Sequence, residues 1–113
     1  MILLKNESPY DLSNIRVEEI LQQIRNKIFE KVDHIYLFGS VARGDFSTQS
    51  DIDLILIKET NIDFVCRSLE FVEILNIFPR IDIFVYTKEE FAKIQLDRPK
   101  MWGNILKEMK ILK

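Results

Sequence analysis

Apolar residues recur along this chain first with a helical period and then in short unbroken runs. Val17, Ile20, Leu21, Ile24 and Ile28 fall on one helical face, with Glu18, Glu19, Gln22, Gln23, Arg25 and Lys27 on the others. Ser13 or Asn14 can cap this helix, after an irregular lead-in from Asn6 to Leu12 that contains Pro9. Two runs of strand length follow, Ile35-Tyr36-Leu37-Phe38 and Ile52-Asp53-Leu54-Ile55-Leu56-Ile57, with a turn-forming segment, Asp45 to Ser50, between them. Ile62, Val65, Leu69 and Val72 then set a helical stripe that Phe64, Phe71, Leu75 and Phe78 widen, with Thr60 or Asn61 as cap and Pro79 as stop. Arg80 to Tyr86 reads as a third strand. Thr87-Lys88-Glu89-Glu90 is a capping-box sequence that opens a helix through about Leu96, and Pro99 restarts the chain into a last helix with Trp102, Ile105 and Leu106. Met109 to Lys113 is a short strand or a frayed tail.

These elements predict an α/β fold, a mixed sheet flanked by helices. If the first two strands are antiparallel, the end of one and the start of the next share an edge. The helix between the second and third strands makes those two parallel, through a right-handed crossover, so Asp82 begins its strand at the same edge and can neighbour Asp53.

The polar residues at that edge carry the candidate chemistry. Aspartate is depleted from strands, yet Asp51 and Asp53 open the second run, on one face and about 7 Å apart along the chain. Their repulsion can be relieved by protonation, by basic partners or by a divalent cation with oxygen ligands. Upstream, Gly39 and Ser40 end the first strand where Val41-Ala42-Arg43 can begin a helical turn. Free backbone N–H groups there suit an anion, glycine permits close approach, and Ser40 adds a hydroxyl. The combination predicts a metal and phosphate site. Blander readings stand beside it: Asp51 and Asp53 as a solvated strand start, Asp82 as an edge residue paired with Arg80, and Arg43 on a phosphate or anchoring the loop through Asp45 or Ser47. Ser50 reads as a tie within the loop, and Gly44 as a backbone conformation closed to other residues.

Gly39-Ser40, ten residues, then Asp51-Ile52-Asp53, with Asp82 as a third acid, resembles the signature of the DNA polymerase beta-like nucleotidyltransferase superfamily. Within it the chain is most similar to the minimal nucleotidyltransferases, small subunits paired with HEPN-domain proteins in toxin–antitoxin systems. The resemblance implies a palm-like fold in a single domain over residues 1–113. It implies transfer of a nucleoside monophosphate, AMP from ATP, to a hydroxyl with release of pyrophosphate. It also implies two Mg²⁺ ions, or Mn²⁺, held by Asp51, Asp53 and Asp82, with Asp82 receiving the acceptor's proton, and nucleotide phosphates held by Gly39, Ser40 and Arg43. The implied partner is a HEPN-domain ribonuclease modified on a tyrosine; self-association is compatible with this. Two other functions fit the chain, a non-catalytic subunit that occludes a helical partner and a small-molecule enzyme of the antibiotic-modifying kind.

Composition narrows the setting. At 113 residues the chain has room for one small core, and 16 basic against 18 acidic side chains give a net charge of −2, so no bulk field draws nucleic acid. A single cysteine, Cys66, excludes an internal disulfide and a cysteine-based zinc cluster and reads as packing. Met1 to Leu4 is too short for a signal peptide core, and no apolar run reaches about 18 residues, which predicts a cytoplasmic protein outside the membrane. His34 reads as a surface residue, the lysines of the last third as a solvated face, and Trp102 as either core or an exposed anchor.

Overall fold

The computed structural model describes residues 11–113. Met1 to Leu4, and the lead-in as far as residue 10, lie outside the described residues. Helix α1 spans Asn14–Ile28 and closes in a 3₁₀ turn, Phe29–Lys31. Strand β1 is His34–Phe38, followed directly by the short helix α2, Gly39–Arg43, and by β2, Ile52–Ile57. Helix α3, Phe64–Arg67, runs on as a 3₁₀-helix, Ser68–Asn76, into β3, Ile81–Tyr86. Helices α4, Lys88–Asp97, and α5, Pro99–Glu108, precede β4, Lys110–Ile111. The four-stranded sheet has the order β3-β2-β1-β4, with β1 antiparallel to β2 and β4, and β2 parallel to β3.

Strand alternation divides the core into two layers. Ile35, Leu37, Ile52, Leu54, Leu56, Ile81 and Val85 face α1 and the 3₁₀-helix, meeting Val17, Ile20, Leu21, Ile24, Ile28, Phe71, Ile74 and Phe78. On the opposite side Ile55 and Ile57 meet Phe91 of α4 and Trp102 of α5. The α1 face is therefore the one its periodicity predicts, and Ser13 is its cap, its hydroxyl accepting the Arg16 N–H at 3.3 Å. Thr87 and Glu90 form the expected capping box at α4. The C-terminal segment is a strand, held also by the Arg25 side chain donating to the Leu112 carbonyl at 2.7 Å. Trp102 is buried core.

The stripe expected on the third helix is corrected. Val65 and Leu69 are 82% and 65% exposed, and Ile62 and Val72 are also outside, whereas Phe71, Ile74 and Phe78 are buried. Past Arg67 the segment winds at three residues per turn, so Phe71 and Ile74 stack inward while Leu69, Val72 and Leu75 line up outward. The cap is corrected too. Asp63 occupies that position without a side-chain bond, and the Thr60 hydroxyl instead accepts the Ile62 N–H. Arg67, which the periodicity leaves unremarked, is the buried polar residue of this face. Its guanidinium grips Glu90 at 2.5 and 3.0 Å and donates to the Ile62 and Val85 carbonyls at 2.7 and 3.1 Å, tying α3 to the edge strand and to the start of α4.

Candidate active site

Two carboxylates meet because of strand register. In the parallel pair Asp53 lies opposite Asp82, and in the antiparallel pair it lies opposite Phe38, so the acids occupy the middle and the β3 side of one sheet edge. The two carboxyls are therefore neighbours on adjacent strands. Asp53 is pushed up to about 6, first by burial, then by the hydrogen bond and charge of Asp82, and further by the charge of Asp51, with Arg43 opposing.

Gly39 is built around this pair. Its φ of 76° belongs to the left-handed region, and a Cβ there would stand 2.3 Å from the Asp53 carboxylate oxygen. The backbone can therefore approach the acid only without a side chain. Gly44, with φ 85°, ends α2 by donating its N–H to the Ser40 carbonyl at 2.9 Å. Between α2 and β2 the loop is tied by the Ser50 hydroxyl, which accepts the Ser47 N–H at 2.9 Å, as the sequence suggests. Arg43 engages Asp45 at 3.1 Å and Glu108 of α5 at 3.5 Å, so it fastens the loop while its charge still reaches Asp53.

Asp51 stands apart. β2 begins at Ile52, and the exposed Asp51 just before it presents its carboxylate to Arg80 Nε at 3.6 Å. The register that pairs Asp53 with Asp82 and Ile52 with Ile81 brings the preceding residues, Asp51 and Arg80, side by side. Arg80 thus partners Asp51 rather than Asp82, and it also donates to the Thr48 carbonyl at 2.9 Å. This cation was legible from the same register argument that predicts the Asp53–Asp82 pair. Among the described residues no group of three His, Cys, Asp or Glu side chains is gathered as a metal site. The expected trio is present as a register-paired couple with a third acid diverted to Arg80. Adjacent carboxylates are hard oxygen donors, so Asp53 and Asp82 fit a divalent cation.

An aromatic wall that the sequence reading passed over lies on the same face. Phe38, Phe84, Tyr86 and Trp102, with Ile55 and Ile105, line a pocket of about 170 Å³. The Phe38 and Phe84 rings are 5.9 Å apart. The signal was period two: Phe84 follows Asp82, and Ile55 follows Asp53, onto the acids' own face.

Two Methanocaldococcus jannaschii proteins, each named as a putative protein adenylyltransferase, are 35% identical over 49 residues and 46% identical over 44 residues. Those matches cover 43% and 38% of this chain, and the chain spans about half or less of the relatives' length, 49% and 44%. The fold is similar to the crystal structure of a Sulfolobus solfataricus protein described as a putative nucleotidyltransferase, with a TM-score of 0.57 and 24% identity over 70% of this chain and 74% of that one. The family model described as "Polymerase beta, Nucleotidyltransferase" matches residues 17–113, and the chain belongs to that nucleotidyltransferase family.

Proposed function

We propose that this chain transfers AMP from ATP to a hydroxyl of a protein, as a single minimal nucleotidyltransferase domain over residues 1–113. The observation that carries the reading is the register-paired Asp53 and Asp82, with Asp53 set against the side-chain-free backbone of Gly39. Asp53 and Asp82, joined by Asp51 once it leaves Arg80, would hold Mg²⁺ or Mn²⁺. Such ions, when bound, neutralise phosphate charge and acidify the attacking hydroxyl. The acceptor oxygen bonds to the α-phosphorus, the bond from that phosphorus to the bridging oxygen breaks, and pyrophosphate leaves. Asp82 takes the acceptor's proton. Gly39 and Ser40 hold the departing phosphates, and Arg43 exchanges Asp45 for the nucleotide.

A protein acceptor is supported by the names of the two Methanocaldococcus relatives and by the exposed apolar row of Val65, Leu69 and Val72, a surface suited to a partner. We take that partner to be a HEPN-domain toxin modified on tyrosine, with this chain as antitoxin. The same row also favours a second reading, a subunit that neutralises the partner by occlusion alone. Incubation with α-labelled ATP, Mg²⁺ and a HEPN partner separates them. Label on the partner with wild type and none with Asp53→Asn supports transfer; binding that Asp53→Asn leaves intact, with no label from either protein, supports occlusion.

A further inference from the structure

One edge of the sheet stays open beside the reacting pair, and main-chain direction tells which groups it offers. The strand order β3-β2-β1-β4 makes β3 an outer strand, so Asp82 has Asp53 on one side and no strand on the other among the described residues. The Ile52 N–H donates to the Arg80 carbonyl at 2.9 Å, and the Lys58 N–H to the Tyr86 carbonyl at 3.0 Å. Even-numbered residues of β3 therefore direct their main-chain groups to β2, and those of Ile81, Ile83 and Val85 point outward. The Arg67 guanidinium donates to the Val85 carbonyl at 3.1 Å, which closes one end of the edge. Among the described residues nothing meets the outward N–H and C=O groups of Ile81 and Ile83, the neighbours of Asp82. β3 contains neither lysine nor proline, the residues that commonly blunt such edges. The opposite edge, β4, is two residues long and lies beyond β1, away from the acids.

We propose that the open edge of β3 docks the acceptor: an extended segment of the protein to be modified adds to the sheet antiparallel to β3 and sets its hydroxyl residue opposite Asp82. This rests on the transfer function proposed above. Asp82 directs its own main-chain groups to β2, so the residue facing it across the new pair occupies a non-hydrogen-bonded position. Such positions bring Cα atoms to about 4.5 Å and side chains closest together. The side chain opposite Asp82 also projects to the face that holds Asp53, because paired residues share a face. A hydroxyl there meets the exposed Asp82 from the side that Asp53 leaves free. The residues flanking it in the segment bond Ile81 and Ile83 and fix the register. Affinity then comes from main chain, so the edge reads an extended, hydroxyl-bearing segment rather than one particular sequence.

The probe is the peptide acetyl-Lys-Val-Val-Tyr-Val-Val-Lys-amide, with one variant N-methylated on the two valines that flank tyrosine and another N-methylated on the tyrosine. Amide hydrogen exchange of the full chain is followed by NMR without ATP or metal. The parent and the tyrosine-methylated peptide slow exchange at Ile83 about tenfold or more, the flank-methylated peptide does not, and the ladder amide of Leu54 is unaffected by all three. With α-labelled ATP and Mg²⁺, flank methylation removes two main-chain bonds and raises KM for the peptide about tenfold, with KM for ATP unchanged. Equal labelling of the two methylated peptides, or no slowing at Ile83 by the parent, overturns the docking. So does slowing that appears with rising protein concentration alone, which makes the occupant a second copy. Label on a HEPN partner with no slowing at Ile83 by the parent refutes the edge and leaves the transfer standing; slowing with no label on peptide or partner does the reverse.

Discussion

Gly39 is the residue at which backbone and chemistry are least separable. Gly39→Ala must either leave its left-handed conformation or push the Asp53 carboxylate aside, because the added carbon stands 2.3 Å from that oxygen. The expected outcome is a loss of about 1–3 kcal/mol by chemical denaturation and at least a tenfold fall in AMP transfer. Asp53 and Glu90 give opposite pH dependences. Asp53 is raised from 3.8 to about 6, so the folded chain binds its proton more tightly and stability declines as pH rises through that window. Glu90 is lowered from 4.5 to about 2, by the Arg67 guanidinium first and then by the Thr87 N–H, so its contribution is complete above 4.5 and is lost as pH falls toward 2. Thermal melts without divalent cation should lose the decline between pH 4 and 6 in Asp53→Asn and lose part of the acid-side fall in Glu90→Gln. Persistence of the decline in Asp53→Asn would contradict the placement of that charge. The glycine, the serine and the acids were legible as residue types at a spacing. That Asp51 faces Arg80 was not read, because the register was applied to Asp53 and Asp82 and not carried one residue back along both strands.

Elements were legible where one period persists and illegible where it changes. Helix α1 keeps 3.6 residues per turn over Asn14–Ile28, and its apolar positions read straight through to the core. The stretch after α3 does not, since Ser68–Asn76 tightens to three residues per turn and turns the wrong apolar residues outward. Phe71→Ala should therefore cost about 3–5 kcal/mol in urea unfolding, against less than about 0.5 kcal/mol for Leu69→Ala. Comparable losses at the two sites would restore the stripe that the sequence suggested. Arg67 escaped because a lone arginine in an apolar helix reads as surface, and only the sheet edge and Glu90, distant in sequence, give it a buried place.

At the scale of the molecule, a two-layered sheet places an acid pair at the edge, an aromatic pocket behind it and an apolar row elsewhere on the surface. Leu69→Glu, far in function from the acids, should lower labelling of a protein acceptor about tenfold or more while leaving nucleotide affinity unchanged. Equal labelling by this variant would remove the row from acceptor recognition. No helix among the described residues is long and apolar enough to cross a membrane. The central claim is that Asp53 and Asp82 form the reacting centre for nucleotidyl transfer. Its most direct measurement is pyrophosphate release from Mg²⁺-ATP with acceptor present, by wild type, Asp53→Asn, Asp82→Asn and the exposed control Asp63→Asn. The account predicts a fall of about a hundredfold or more in the first two variants and none in the control. Undiminished release by Asp53→Asn or Asp82→Asn would contradict it.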